Sequence, residues 1–264
     1  MRLDARKRAC LDAMGIEVWR LRNGESGSNN EEEIAGAAQA ASGVDRDNGP
    51  PAAGAEQTDT DVARTPERVP PVLDGEIDLD WPALQEAVSH CRSCDLHQTR
   101  TQTVFGVGDR NASLMVIGEA PGADEDRLGE PFVGRAGKLL DAMLEAIGFT
   151  REQVYIANII KCRPPGNRDP HIEEAASCQP YLHRQIALIQ PQLIVSVGRV
   201  SAHNLLGTEE SVGRLRGRVH RFDPGDIPLI VTYHPAYLLR RPQEKAKSWA
   251  DLQAAYRVLN GIID

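Results

Sequence analysis

The chain has 264 residues, a formal net charge of −8 and 41% hydrophobic residues. No run approaches the roughly 18 apolar residues of a membrane span, the start MRLDARKRACLDAMG lacks the apolar core of a signal peptide, and the composition excludes collagen, coiled coil and a wholly disordered chain. A cytoplasmic protein of one or two domains is expected, and an odd number of cysteines, 5, favours metal or redox chemistry over disulfide stapling.

The charge is unevenly spread. Residues 1–23 carry 3 acids and 6 bases, residues 24–80 carry 14 acids and 3 bases, and residues 81–264 carry 21 of each. The acid sits in a separable segment, so the overall balance does not argue against a nucleic-acid partner. Between Trp19 and Trp81 the chain has no aromatic residue and is rich in Gly, Ala, Pro, Ser and acid, which cannot bury enough apolar surface to offset the entropy of ordering. Residues 24–80 therefore read as a disordered linker between a small amino-terminal segment of undetermined role, 1–23, and a domain at 81–264.

From Trp81 onward short β-branched runs alternate with helical periodicity. SLMVIGEAP predicts a strand closed by a Gly/Pro turn, after which Leu139, Leu140, Met143, Leu144 and Ile147 recur at helical spacing. VYIANIIK predicts the second strand, followed by a helix over about 170–189. LIVSVG is the third strand, RVSAHNLL a short helix and PLIVTYHP the fourth strand, and Trp249, Leu252, Tyr256 and Leu259 mark a last helix. Near-continuous apolar strands alternating with helices imply an α/β fold, with a mostly parallel four-stranded sheet covered on both faces. Such sheets bind ligands beyond the carboxyl ends of their strands, which directs attention to GEAPG, NIIKCRPPGNR and TYHPAYLLRRP.

Cys91 and Cys94 form a C-x2-C pair, with Cys162 and Cys178 following after 67 and 15 intervening residues, while Cys10 stands apart. Four thiolates from three places can close a tetrahedral set around zinc or hold the corner irons of a cubane cluster. Spacing alone leaves zinc, a cluster and buried unligated thiols open. Other motifs fail. Gly137-Lys138 is followed by Leu139 and not Ser or Thr, so there is no P-loop, and Gly106 and Gly108 precede a strand where a dinucleotide fingerprint must follow one. His171-x-Glu173 with Cys91-x2-Cys94 has the parts of a zinc deaminase in the wrong order.

Residues 118–141, GEAPGADEDRLGEPFVGRAGKLLD, residues 158–170, NIIKCRPPGNRDP, and residues 232–242, TYHPAYLLRRP, together with the four cysteines, closely resemble the type 4 uracil-DNA glycosylases, the iron–sulfur branch of that superfamily. The resemblance covers about residues 84–262 and implies a three-layer α/β/α domain, a monofunctional hydrolase that leaves an abasic site in base excision repair, and a monomer acting on single- or double-stranded uracil-containing DNA. It also selects a [4Fe-4S] cluster on Cys91, Cys94, Cys162 and Cys178 over zinc.

Excision requires a pocket for the flipped base, a reader for its edge, and stabilisation of the departing anion while charge builds on the sugar. In the resemblance Phe132 is the stacking aromatic and Asn158 the reader, whose side-by-side acceptor and donor match uracil N3–H and O4. His234 is the donor to uracil O2, and Gly118 and Ala120 flank the base. The best-known uracil glycosylases carry an aspartate where this chain has Ala120, so Glu119 becomes the first candidate for orienting water or stabilising the sugar cation. Glu125 and Asp126 are alternatives, and the other role open to Glu125 is to crowd the C5 position against thymine's methyl. Leu238 or Leu239 is expected to wedge the opened stack, with Arg163, Arg240 and Arg241 on phosphates. Basic residues cluster at Lys161, Arg163 and Arg168, at Arg214, Arg216, Arg218 and Arg221, and at Arg240, Arg241, Lys245 and Lys247, suiting a DNA partner. A non-catalytic iron–sulfur DNA-binding module and a sister glycosylase for other deaminated bases are the competing readings.

Overall fold

The computed structural model describes residues 77–262 and Arg8. Apart from Arg8, the segment 1–23, with Cys10, and nearly all of the linker lie outside those residues. The packed chain begins before Trp81, because Ile77 and Leu79 lie against the core and Arg184 Nε donates to Leu79 O at 2.6 Å.

The strands are β1 (Val107–Gly108), β2 (Leu114–Gly118), β3 (Tyr155–Asn158), β4 (Leu193–Val197), β5 (Val219–Phe222) and β6 (Ile227–Thr232). They form one sheet in the order β1-β3-β2-β4-β6-β5, in which β3, β2, β4 and β6 are parallel and the two edge strands antiparallel. The parallel core carries the four strands expected from the apolar runs. The edges escape that pattern: β1 has only two residues, and VHRF of β5 buries Phe222 alone.

The main helices are α1 (Trp81–Ser89), α2 (Ala123–Leu128), α3 (Arg135–Ala146), α4 (Ile172–Ile189), α5 (Arg199–Leu206), α6 (Val212–Leu215), α7 (Pro235–Arg240) and α8 (Lys245–Leu259). Every residue of β2 and β4 is buried, and successive residues serve opposite faces of the sheet. Met115 and Ile117 join the core shared with α1, α4 and α5, whereas Leu114 and Val116 join the core of α3, α7 and α8. Three layers, α/β/α, result. α1 starts on an Asp80 cap that accepts the Ala83 N–H at 3.0 Å, with Pro82 in its first turn, and buries Leu84 and Val88.

Candidate active site

Three strand ends supply one cavity. β2 delivers Gly118 and the following turn, β3 ends on Asn158, and β6 leads through Thr232 to His234 at the cap of α7. Parallel pairing continues past the strand ends, with Ile159 N–H donating to Gly118 O at 3.0 Å and Ile160 N–H to Glu119 O at 3.2 Å. Below His234, Thr232 Oγ1 donates to the buried Asp251 at 2.9 Å, and Arg216 grips the same carboxylate at 2.8 and 3.0 Å. The cavity measures about 470 Å³, and its lining includes Glu119, Ala120, Glu125, Phe132, Asn158 and His234, with Tyr237 and Arg240.

Asn158 is 2% exposed, and its Oδ1 has no hydrogen-bond partner among the described residues. Burying such an acceptor unmatched costs about 1–3 kcal/mol, which a ligand N–H would offset. Gly118 makes room for the amide: a Cβ there would lie 2.5 Å from Asn158 Oδ1 and 2.6 Å from Phe132 Cζ. The Phe132 and His234 rings stack with centroids 5.6 Å apart.

His234 Nδ1 accepts the Ala236 N–H at 3.1 Å, which puts the proton of the neutral ring on Nε2. Burial, with Arg240 nearby, pulls its pKa down to about 4. At neutral pH the ring is an uncharged donor. Glu119 behaves in the opposite sense: burial and the carboxyl of Asp169 within hydrogen-bonding reach push it up to about 7, opposed by Arg199, which pairs with Asp169. Sequence reasoning overlooked Asp169, since nothing in the motif separates it from other loop acids.

Phe132 has φ +55°, in the left-handed region. Its loop is fastened from both sides. Glu125 Oε1 accepts the N–H groups of Val133 (3.0 Å) and Gly134 (3.3 Å), and Oε2 that of Gly122 (3.1 Å). Arg151 donates to the carbonyls of Pro131 and Phe132. Glu125 thus lines the cavity with both oxygens engaged.

Several expectations need correction. Leu238 is 0% exposed and belongs to the core, so it cannot enter DNA, whereas Leu239 is half-buried and Arg240 and Arg241 are exposed. Asp126 is buried away from the cavity, accepting the Thr101 N–H at 2.9 Å, and so is no water activator. Lys161 is buried, Arg168 is paired with Glu174 and Arg216 with Asp251, which removes them from a free basic face. Arg163 is half-exposed, with Nε donating to Asn167 Oδ1 at 2.7 Å.

Cys91, Cys94, Cys162 and Cys178 are free thiols lining a second, small cavity with Arg100, Lys161 and Tyr181. Arg100 Nη1 donates to Cys162 Sγ at 3.0 Å and Lys161 N–H to Cys178 Sγ at 3.3 Å, contacts that suit thiolates. Burial raises Cys94, Cys162 and Cys178, the last to about 12, a penalty that bound metal would offset. Among the described residues no three His, Cys, Asp or Glu form a group that could hold a single metal ion.

Residues 105–253 match the family model described as the uracil DNA glycosylase superfamily. The type-4 uracil-DNA glycosylase of Archaeoglobus fulgidus is 47% identical over 172 residues, 63% of this chain and 86% of that protein. The chain belongs to the type-4 branch of the uracil DNA glycosylase superfamily. The type-4 enzyme of Pyrobaculum aerophilum is 41% identical over 180 residues, 66% of this chain and 92% of the relative. A type-5 uracil-DNA glycosylase from the same organism is more distant, 29% identical over 149 residues, 50% of this chain and 64% of its own length. The three motifs, 118–141, 158–170 and 232–242, are the segments that line the cavity of this family member.

Proposed function

We propose that this domain hydrolyses the N-glycosidic bond of uracil in DNA as a monofunctional glycosylase of base excision repair, leaving an abasic site. The observation that carries the reading is the pairing, in one cavity, of a buried amide with an unpartnered oxygen and a neutral imidazole with its proton on Nε2. The Asn158 amide oxygen takes the uracil N3–H and its NH2 faces O4. Cytosine presents the reverse order and leaves buried groups unpaired, at about 1–3 kcal/mol each. Phe132 stacks the flipped base, with Gly118 and Ala120 shaping its slot. His234 Nε2–H donates to O2 as the uracil anion departs, a kind of contact worth about 2.7–4 kcal/mol in the transition state. Glu119 in its ionised form stabilises the developing sugar cation or orients the water that adds to it. Glu125 acts by holding the Phe132 loop.

Cys91, Cys94, Cys162 and Cys178 would hold a [4Fe-4S] cluster, which supplies a cross-link between the segment before β1 and the segments around β3 and α4. Four thiols line one cavity, a donor set open to a cluster or to zinc, and the likeness to type-4 uracil-DNA glycosylases favours the cluster. Leu239 wedges the stack, and Arg240, Arg241 and Arg163 contact phosphates. The substrate is uracil-containing DNA, met by a monomer in the cytoplasm. Among the described residues no helix is long and apolar enough to cross a membrane.

The test is a single-uracil oligonucleotide incubated with anaerobically purified protein and then treated with alkali, with Asn158→Ala as control. Strand cleavage that disappears in the variant is expected. No cleavage by iron-loaded protein would favour the non-catalytic DNA-binding module, and cleavage only at another deaminated base the sister activity.

A further inference from the structure

Asn158 has no side-chain hydrogen bond through Oδ1, so the aim of its amide depends on how the main chain at residue 158 is held. The holder is three residues away. Lys161 is 1% exposed, and its Nζ donates to the Asn158 main-chain carbonyl at 2.9 Å and to Gln185 Oε1 at 2.7 Å. Gln185 is itself fully buried on α4, and its Nε2 donates to Phe105 O at 3.0 Å and to Tyr155 OH at 3.2 Å. The ammonium is therefore fixed between the end of β3 and α4. Lys161 N–H meanwhile donates to Cys178 Sγ, and the residue lines the thiol cavity. A buried ammonium is retained only where its donors are matched, since an unpaired buried charge costs several kcal/mol. Nothing in this arrangement leaves the group able to reach a phosphate.

We propose that Lys161 is a positioning residue for uracil recognition: its ammonium, bonded to the Asn158 carbonyl, sets the direction from which the Asn158 amide meets the base, and its backbone ties that strand end to the thiol cavity. The inference rests on the uracil-reading role of Asn158 given above. Lys161 touches no substrate atom and acts through the orientation of a neighbour.

A double-mutant cycle on the full-length, iron-loaded protein tests this, comparing wild type, K161M, N158A and the double variant in single-turnover excision from a single-uracil oligonucleotide. Iron content and Tm are measured on every protein. K161M is expected to keep its iron and to slow excision about a hundredfold, the scale of an ångström-sized misplacement. In the N158A background the same change should cost less than about threefold, because its effect is exerted through the amide. Excision by K161M within about threefold of wild type, or an equal loss in both backgrounds, overturns the proposal. If K161M cannot be recovered folded, Q185L replaces it, removing the ammonium's second acceptor. About a tenfold loss with Asn158 present and none with alanine there is expected, and no loss or equal losses overturn the proposal. Failure of the underlying reading is seen separately: wild type that leaves uracil in place, or N158A as active as wild type, removes the role of Asn158 and the proposal with it.

Discussion

Replacing Gly118 by alanine tests whether the cavity works as a slot whose width is set by one missing methyl. The added Cβ would meet Asn158 Oδ1 at 2.5 Å, Phe132 Cζ at 2.6 Å and Phe132 Cε2 at 2.7 Å, whereas ordinary contact begins near 3.4 Å. Amide and ring must therefore each retreat by about 0.7–0.9 Å, or the strand end must shift. Gly118 does not have the positive φ that ten other glycines among the described residues adopt, so the effect is one of packing. Asn158 has little room to yield, being 2% exposed with its carbonyl bonded to Lys161. Overpacking of this kind costs about 1–3 kcal/mol in stability, a Tm loss of a few degrees that leaves the protein folded. Displacing reader and stacking ring by nearly an ångström costs on the order of a hundredfold in the chemical step. The assay is single-turnover release of uracil, read by alkaline cleavage, beside a thermal melt of the same preparation. Excision close to wild type in a folded G118A protein would refute the slot and the positions assigned to amide and ring within it.

Three further outcomes are expected. Glu119 titrates near pH 7 through burial and Asp169, so excision should rise through pH 7 and level above it, and Glu119→Gln should abolish that limb; His234, near 4, adds none above about pH 5. For stability the sign is reversed: the folded protein holds the Glu119 proton more tightly than the unfolded chain, so this contribution is whole below about pH 4.5 and lost as pH rises through 7. Melts across that range should show a smaller decline for Glu119→Gln. Leu238→Ala should destabilise by about 2–5 kcal/mol in chemical unfolding, whereas Leu239→Ala, which truncates a side chain only partly packed against the core, should cost clearly less in the melt and slow excision more on duplex than on single strands. Cys162→Ala should lower both iron content and Tm, and unchanged iron would show that the four thiols do not act as one set.

The parallel core was legible because strands buried on both faces must be near-continuously apolar, as LMVIG is throughout and LIVSV is at every position but Ser196, whose buried hydroxyl donates to Ser201 Oγ at 2.9 Å. RVSAHNLL was legible as a helix for its compact periodicity and the glycine that closes it, Gly207 at φ +59°. β5 was not, because an edge strand that buries only Phe222 has no pattern to distinguish it from a loop. The motifs gave the cavity residues but not which of two adjacent leucines faces inward, since α7 spans six residues and shows no phase of its own. Basic side chains misled most. Lys161 reads as a surface charge in any composition-based scheme, and only the fold supplies the Asn158 carbonyl and Gln185 amide that let it stay inside.

The backbone of Phe132 sits where a residue with a side chain is disfavoured by about 1–3 kcal/mol, and its position is maintained by the Glu125 carboxylate and the Arg151 guanidinium. Folding therefore sets the ring in place before any base arrives, and binding need not immobilise a mobile aromatic. Removing the ring and relieving its backbone are then inseparable at this position. A Phe132→Gly protein would gain about 1–3 kcal/mol of local backbone ease but lose a ring buried in the core beside α3 and α7, at about 3–5 kcal/mol, so its melt should fall by less than a core truncation without strain would cost, while its excision rate collapses with the stacking face.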